Sequence, residues 1–320
     1  LHLSAFFLAV MVCHGELAKH RPHAAYLTLY YLIMSFAGML GGMFNTFVAP
    51  FIFSGIYEYP VMIVAALLLR PGSASARQGT PWHDWATQAI FPTLLFVGGW
   101  LIYFGVADLG AYMDNIGTAL ILFSGLTYAF RKQMVSLALL TGTIIFFIVG
   151  LRATMSNTIF QERTFFGVLS VRESILIDEK GRPEKYKEIF HGNTKHGAQR
   201  LSVGNEKEPL TYYSRPAPMG QLFNAYDAVN RDWNVGVVGL GAGALACYAK
   251  PQQAWTFYEI DPLIVEVAKN TRYFSYLSRC TPKAKMTVGD ARLSLIAEQD
   301  NEFDLLVIDA FDHRAMAESV

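Results

Sequence analysis

The sequence predicts two structural classes in one chain: a multi-span α-helical membrane domain, followed by an α/β domain built on a parallel sheet. Three observations carry this. Hydrophobic residues make up 52% of the chain and charged residues only 16%, too apolar for an ordinary soluble pair of domains, and 320 residues leave room for two. The apolar residues are concentrated before Arg152, and between Leu27 and Leu69 the one charged side chain is Glu58. From Val235 to Asp312 a strand-then-turn pattern repeats four times, and each strand end carries a glycine or a carboxylate.

In the first part, the Leu27–Leu69 run is long enough for two spans of about 20 residues each. Uncharged runs follow at Gln88–Ala107, Asn115–Phe130 and Gln133–Leu151, and Leu1–Cys13 reads as the tail of another span. Residues 1–151 are therefore expected to hold five to six membrane segments. A buried core helix is the alternative for Asn115–Phe130 taken alone. Ser35–Asn45 places glycines at close helical spacing, which permits tight packing in lipid or serves a binding or hinge element. Asn45, Pro50 and Glu58 are unusual near it, since polar groups at membrane depth are costly enough to imply a role; for Glu58 an interfacial position is the alternative. Lys19, Arg21, Arg70, Arg77, Arg131 and Lys132 fall in alternate loops, whereas the loops near Glu58 and Asp108 lack Lys and Arg. The positive-inside rule puts those six residues in the cytoplasm. One span per run then leaves the domain after Arg152 outside, unless a segment around Pro50 is re-entrant, which returns it to the cytoplasm. We expect the latter.

Next comes a strand-rich segment: TFFGVLSVRESILID alternates, a turn is expected at Glu179–Pro183, and a second strand pair is expected around KYKEIFHGNT. The α/β units then follow. Val235–Val238 is a short β-branched strand running into Gly239, Gly241 and Gly243 and a helix-like Ala/Leu run; glycines there let backbone N–H groups approach a ligand. AWTFYEIDPLIVEVAK ends its strand at Glu259 and Asp261, with Pro262 placed to open a helix. A carboxylate at this spacing suits the two hydroxyls of a ribose. AKMTVGDARLSL ends at Asp290, placed to accept from an adenine amino group. NEFDLLVIDAFD delivers Asp309 to the sheet edge where ligands of open α/β sheets bind.

Several classes are excluded or unsupported. A net charge of zero gives no argument for nucleic acid or an acidic partner. Cys13, Cys247 and Cys280 are far apart and suggest neither a disulfide framework nor a zinc site. His191 and His196 invite a metal reading, but no Cys or carboxylate nearby completes a ligand set, and no metal is expected. The chain begins inside an apolar run without an initiator Met and stops just after the fourth predicted strand. Further spans before it and further strands after it are therefore expected to be missing.

The words VVGLGAGALACYAKP, FYEIDP, GDARLSL and VIDAF resemble the spermidine synthase family of aminopropyltransferases, a branch of the class I AdoMet-methyltransferase-like, Rossmann-like fold. More closely, the chain resembles bacterial membrane proteins in which such a domain follows transmembrane helices. The resemblance covers roughly residues 160–312. It implies a transmembrane domain at 1–151, a small β-hairpin subdomain covering the amine site at 152–218, and a Rossmann-like cofactor domain at 219–320. It implies decarboxylated S-adenosylmethionine, or S-adenosylmethionine itself, as co-substrate, without metal. Gly239, Gly241 and Gly243 would hold the cofactor tail, Glu259 with Asp261 the ribose, and Asp290 with Ala291 the adenine. Asp309 would be the catalytic carboxylate, and Asp312, three residues on, would add negative potential for a cationic diamine. Tyr212 falls where the family has a substrate-contacting tyrosine, and Gln199 is a second polar candidate; a packed aromatic and a solvated loop amide are the plain alternatives.

The implied activity is aminopropyl transfer to a diamine such as putrescine. The implied setting is the bacterial inner membrane, with lipid and a polyamine as partners and a homodimer as the assembly. Two departures bear on the acceptor. Ala242 stands where the family's glycine turn holds an aspartate, and Tyr213 replaces a substrate-holding glutamine. The terminal HRAMAESV also departs from the family, which has a proline-containing gate there. AdoMet-dependent methyl transfer is the alternative enzyme reading. A polyamine transporter or sensor with a non-catalytic nucleoside-binding domain is the alternative of another class.

Overall fold

The chain divides into two units, Leu1–Met155 and Ser156–Val320. The computed structural model describes residues 2–69, 81–105, 116–177, 181–227, 232–297 and 303–309. Arg70, Arg77, Asp108, Glu179 and Asp312 lie outside the described residues.

The first unit is helical: α1 (His2–Lys19), α2 (Leu27–Met43), α3 (Ala49–Ile52), α4 (Glu58–Leu68), α5 (Pro81–Gly105), α6 (Ile116–Ala129) and α7 (Met134–Met155). A π-helical turn, Phe44–Val48, joins α2 to α3. Its cause is local. Pro50 has no N–H for the Thr46 carbonyl and its ring crowds it, while the Ala49 N–H reaches back to the Phe44 carbonyl. The rod Ala24–Ile52 has 29 residues and is, among the described residues, the one helix long and apolar enough to cross a membrane. Leu29, Leu32, Ile33, Phe36 and Phe47 on it are each more than half exposed, as befits a helix apolar on every face.

The Leu27–Leu69 run, expected as two spans, thus forms one long rod and the 11-residue α4, because the chain leaves the helical conformation between Phe53 and Tyr57. The Met134–Gly150 part of α7 is apolar but also shorter than a span. Close helix crossings occur at Gly99, where a Cβ would come within 2.8 Å of the Phe147 ring, and at Gly142, facing Val64. The glycines expected to pack tightly, Gly38, Gly41 and Gly42, have nothing within 4 Å of such an atom.

The second unit holds two sheets. Strands β1 (Thr158–Thr164), β2 (Gly167–Ile177), β3 (Pro183–His191) and β4 (Thr194–Arg200) form an antiparallel meander. Gly192, at φ 60°, leads the two-residue β3–β4 turn. After α8 (Pro218–Asp227) comes the parallel sheet of β5 (Asn234–Val238), β6 (Ala254–Glu259), β7 (Lys285–Val288) and β8 (Leu305–Ile308), in the order β7-β6-β5-β8. Helices α9 (Pro262–Lys269), α10 (Tyr276–Cys280) and α11 (Ala291–Ala297) connect them. Val235, Val237, Trp255 and Phe257, with Leu169, Val171 and Ile189 of the meander, share one core. The three strands β5, β6 and β7 run out to one edge and β8 returns on the far side of β5, which makes the β5–β8 junction the switch point of a Rossmann-like sheet.

One predicted element differs. The Ala/Leu run after the glycine turn forms only a five-residue 3₁₀ segment, Ala244–Tyr248. Lys250 precedes Pro251 and is biased away from the helical region. The Thr281 hydroxyl also donates to the Ala246 carbonyl at 2.7 Å, satisfying a group that a longer helix would have used.

Candidate functional site

Parallel pairing brings the four strand ends side by side. The Gly239 N–H donates to the Tyr258 carbonyl (2.8 Å), Gly289 to Glu259 (2.9 Å) and Asp309 to Val238 (2.8 Å). Across the sheet the order is Asp290, Glu259, the glycine turn, Asp309. The sequence places these four far apart, and the topology aligns them at one edge.

Gly239, Gly241 and Gly243 adopt φ of 96°, 54° and 81°, a region open to glycine and costly for other residues. The chain itself fills two of the gaps. A Cβ on Gly241 would lie 2.7 Å from the His196 carbonyl, and one on Gly243 would lie 3.0 Å from Leu277. These two glycines therefore serve packing against β4 and α10, in addition to any ligand. Ala242 is fully buried and faces Gly197, where a Cβ would approach it to 2.8 Å.

Glu259, 7% exposed, accepts the Leu240 N–H at 2.9 Å through Oε2 and the Asp261 N–H at 3.1 Å through Oε1. It thereby ties the glycine turn to the β6 turn. Burial raises its pKa, while the two N–H groups pull it down. A carboxylate has about four lone-pair sites, so with the Ile260 N–H also close to it Glu259 keeps acceptor capacity for a ligand hydroxyl. Asp261, expected beside it at the ribose, is instead the α9 N-cap. Its Oδ1 accepts from Leu263 N at 2.9 Å and its Oδ2 from the Thr164 hydroxyl at 2.7 Å, and it is 1% exposed. Asp290 is exposed; its Oδ1 accepts the Leu293 N–H at 3.1 Å, leaving Oδ2 for other donors. Ala291 begins α11 next to it.

Asp309 is half-buried. The Tyr213 hydroxyl donates to its Oδ2. Burial raises the Asp309 pKa and this hydrogen bond opposes the rise. Tyr213 is 3% exposed; burial, with Asp309 beside it, pushes its phenol far above the ordinary tyrosine range. The Tyr212 ring lies 4.2 Å from that of Tyr213, and its hydroxyl donates at 3.5 Å to the His196 carbonyl. Tyr212 therefore stands with Asp309 and the glycine turn. Asp312 lies outside the described residues.

Gln199 is directed elsewhere. It is 2% exposed; its amide donates to Glu206 O (2.7 Å) and Ser275 Oγ (3.0 Å) and accepts from Ser275 N (2.9 Å). It lines a cavity of about 400 Å³ whose walls include Lys187, Arg200, Arg279 and Glu206. Three bases to one carboxylate make poor surroundings for an ammonium group, so Gln199 is a structural tether instead of an amine contact.

Two features were missed in the sequence. The Tyr213–Asp309 hydrogen bond had no signal beyond the doubled tyrosine of TYY. Cys247 and Cys280, expected to be unpaired, form a disulfide with a Cα–Cα distance of 4.9 Å, because α10 packs on the 3₁₀ segment after the glycine turn. Among the described residues no group of three or more His, Cys, Asp and Glu is arranged to hold a metal ion.

The fold and strand ends define a Rossmann-like α/β unit with a carboxylate-lined edge. No family model matches the chain, and no curated protein matches it. Among solved structures, spermidine synthase from Thermotoga maritima is similar at a TM-score of 0.33 and 16% identity, over 49% of this chain and 47% of that one. The chain thus spans about half the length of that protein.

Proposed function

We propose that the strand-end edge binds an adenosyl sulfonium co-substrate and transfers an aminopropyl group from decarboxylated S-adenosylmethionine to a diamine. The observation that carries this reading is the spatial order of acceptors. Exposed Asp290 stands at one end, the lone pairs left on Glu259 come next, and Asp309 stands across the switch point. This sequence of groups suits an adenine, a ribose and a reacting amine. In the reaction the amine nitrogen forms its bond to the carbon next to sulfur as the carbon–sulfur bond breaks and a thioether leaves. The nitrogen's proton passes to Asp309, whose burial makes it a stronger base than a solvated carboxylate. Tyr212 and Asp309 orient the amine. The helical unit, in this reading, sits in a bacterial inner membrane with the catalytic unit on the cytoplasmic side, and the protein functions as a homodimer.

Buried Ala242 favours a second reading, methyl transfer from intact S-adenosylmethionine. The turn offers no carboxylate to an acceptor's ammonium, and an unpaired ammonium there is unfavourable.

Titration calorimetry on the full chain in detergent decides among these. Decarboxylated S-adenosylmethionine, the intact form and methylthioadenosine are each added to wild type and to Asp290→Asn, which retains the α11 cap but loses the anionic acceptor. Preference for the decarboxylated form, weakened about tenfold by the substitution (about 1.4 kcal/mol), supports aminopropyl transfer. Preference for the intact form moves the reaction to methyl transfer. Absence of binding by all three overturns both.

A further inference from the structure

We propose that Tyr213 is the positioning residue of Asp309, fixing which carboxylate oxygen faces the ligand. The inference rests on the role given to Asp309 above, and four independent restraints on Tyr213 carry it. Its hydroxyl donates to Asp309 Oδ2. Its ring is packed at 4.2 Å against that of Tyr212. Its carbonyl accepts the Tyr248 hydroxyl at 2.6 Å, and Tyr248 ends the 3₁₀ segment that follows the glycine turn. Its main chain leaves a turn in which Thr211 adopts φ 60°.

A β-branched residue in the left-handed region is a genuine outlier, and such strain persists only where surrounding structure over-determines it. Here the strained residue opens the short 3₁₀ turn Thr211–Tyr213, and what that turn delivers is a phenol to Asp309. A tyrosine needed only for core packing would still require an acceptor for its buried hydroxyl, but not the strained turn that aims the phenol at Asp309.

The chemical consequence follows from counting protons. A phenol has one, so Tyr213 occupies Oδ2 alone and leaves Oδ1 as the acceptor for an incoming N–H. Because burial keeps the phenol neutral, it remains a donor throughout the pH range of activity. It also holds the carboxylate in its charged form, the form that accepts a proton. Buried as it is, the tyrosine acts on the ligand through Asp309, which makes the acceptor geometry stricter.

The test separates this idea from the reading on which it rests. The full chain in detergent is labelled with [4-¹³C]aspartate, and the Asp309 resonance is assigned by its loss in Asp309→Asn. Tyr213→Phe keeps the ring and removes the hydroxyl. Losing a hydrogen bond to the charged form moves the Asp309 midpoint upward, and we expect a rise of about one pH unit with an unchanged far-ultraviolet spectrum. Decarboxylated S-adenosylmethionine with a diamine is then added. If turnover occurs, Tyr213→Phe lowers kcat more than it raises KM at neutral pH, with the acidic limb of the pH profile displaced upward by the same amount. An unchanged Asp309 midpoint in Tyr213→Phe overturns the proposal even if the wild type is active. A displaced midpoint in a protein that binds no adenosyl compound leaves the proposal standing and refutes the enzymatic reading. If Tyr213→Phe does not fold, 3-fluorotyrosine is placed at position 213 instead; its more acidic phenol is a stronger donor to the charged carboxylate, so the Asp309 midpoint falls, and a midpoint equal to wild type overturns the proposal.

Discussion

At Ala242 the methyl group is fully buried, and the chain opposite can pass only because residue 197 is glycine. An acidic residue there would gain no partner. Ala242→Asp places an unpaired charge against β4, and we expect a loss of roughly 3–5 kcal/mol, seen as a lowered Tm or failure to accumulate; a Tm equal to wild type would show that the turn is roomier than this packing implies. At Asp309 the sign runs the other way. Its folded pKa is raised above the unfolded value, so the fold binds the proton more tightly, and stability is lost as pH rises through that interval. Asp309→Asn should therefore have a higher Tm than wild type at pH 7, and the difference should vanish below the ordinary carboxylate range. Thermal unfolding at several pH values reads it directly. Both residues were visible in the sequence as departures or motif positions. What their neighbours do was not, because Gly197 and Tyr213 reach them through strand pairing and a turn that no local pattern encodes.

Elements show the same division. Strand β5 and its glycines, β6 ending at Glu259, and the start of α9 at Pro262 were legible because β-branched runs and Pro262 are local signals, whereas the capping by Asp261 and Asp290 was not, because in sequence both aspartates read as ligand contacts. The 3₁₀ segment in place of a helix was not, since its length is fixed by partners elsewhere: Thr281 on the Ala246 carbonyl, and Cys280 on Cys247. The residue separation of 33 implies a stabilisation on the order of 3–4 kcal/mol from loop closure. Cys247→Ser should accordingly lower the unfolding midpoint in denaturant, and a reductant should do the same to wild type but leave the variant unmoved. Equal midpoints for wild type with and without reductant would remove the bridge from the stability account. Asp261→Ala tests the cap of α9 and its tie to Thr164; about 1 kcal/mol from the cap alone is expected.

For the whole molecule, the division into an apolar helical unit and an α/β unit follows from composition, which is why it was legible without any motif. The number of crossings did not follow as simply. Pro50 and the break after Ile52 turn one long apolar run into a rod and a short helix, and hydropathy alone does not register a break of this kind. If the helical unit is integral to a membrane, the full chain should stay with the membrane pellet after carbonate extraction; release into the supernatant would count against it. The bridge between Cys247 and Cys280 then acquires a use that has nothing to do with folding energy. Disulfides persist where thiols are oxidised and open where glutathione and thioredoxin keep them reduced. The pair is therefore a built-in reporter of address: an intact mass from native membranes, taken after alkylation without reduction, records whether both sulfurs were capped or neither. Two capped thiols would put the α/β unit on the cytoplasmic side, and an uncapped pair would put it on the other.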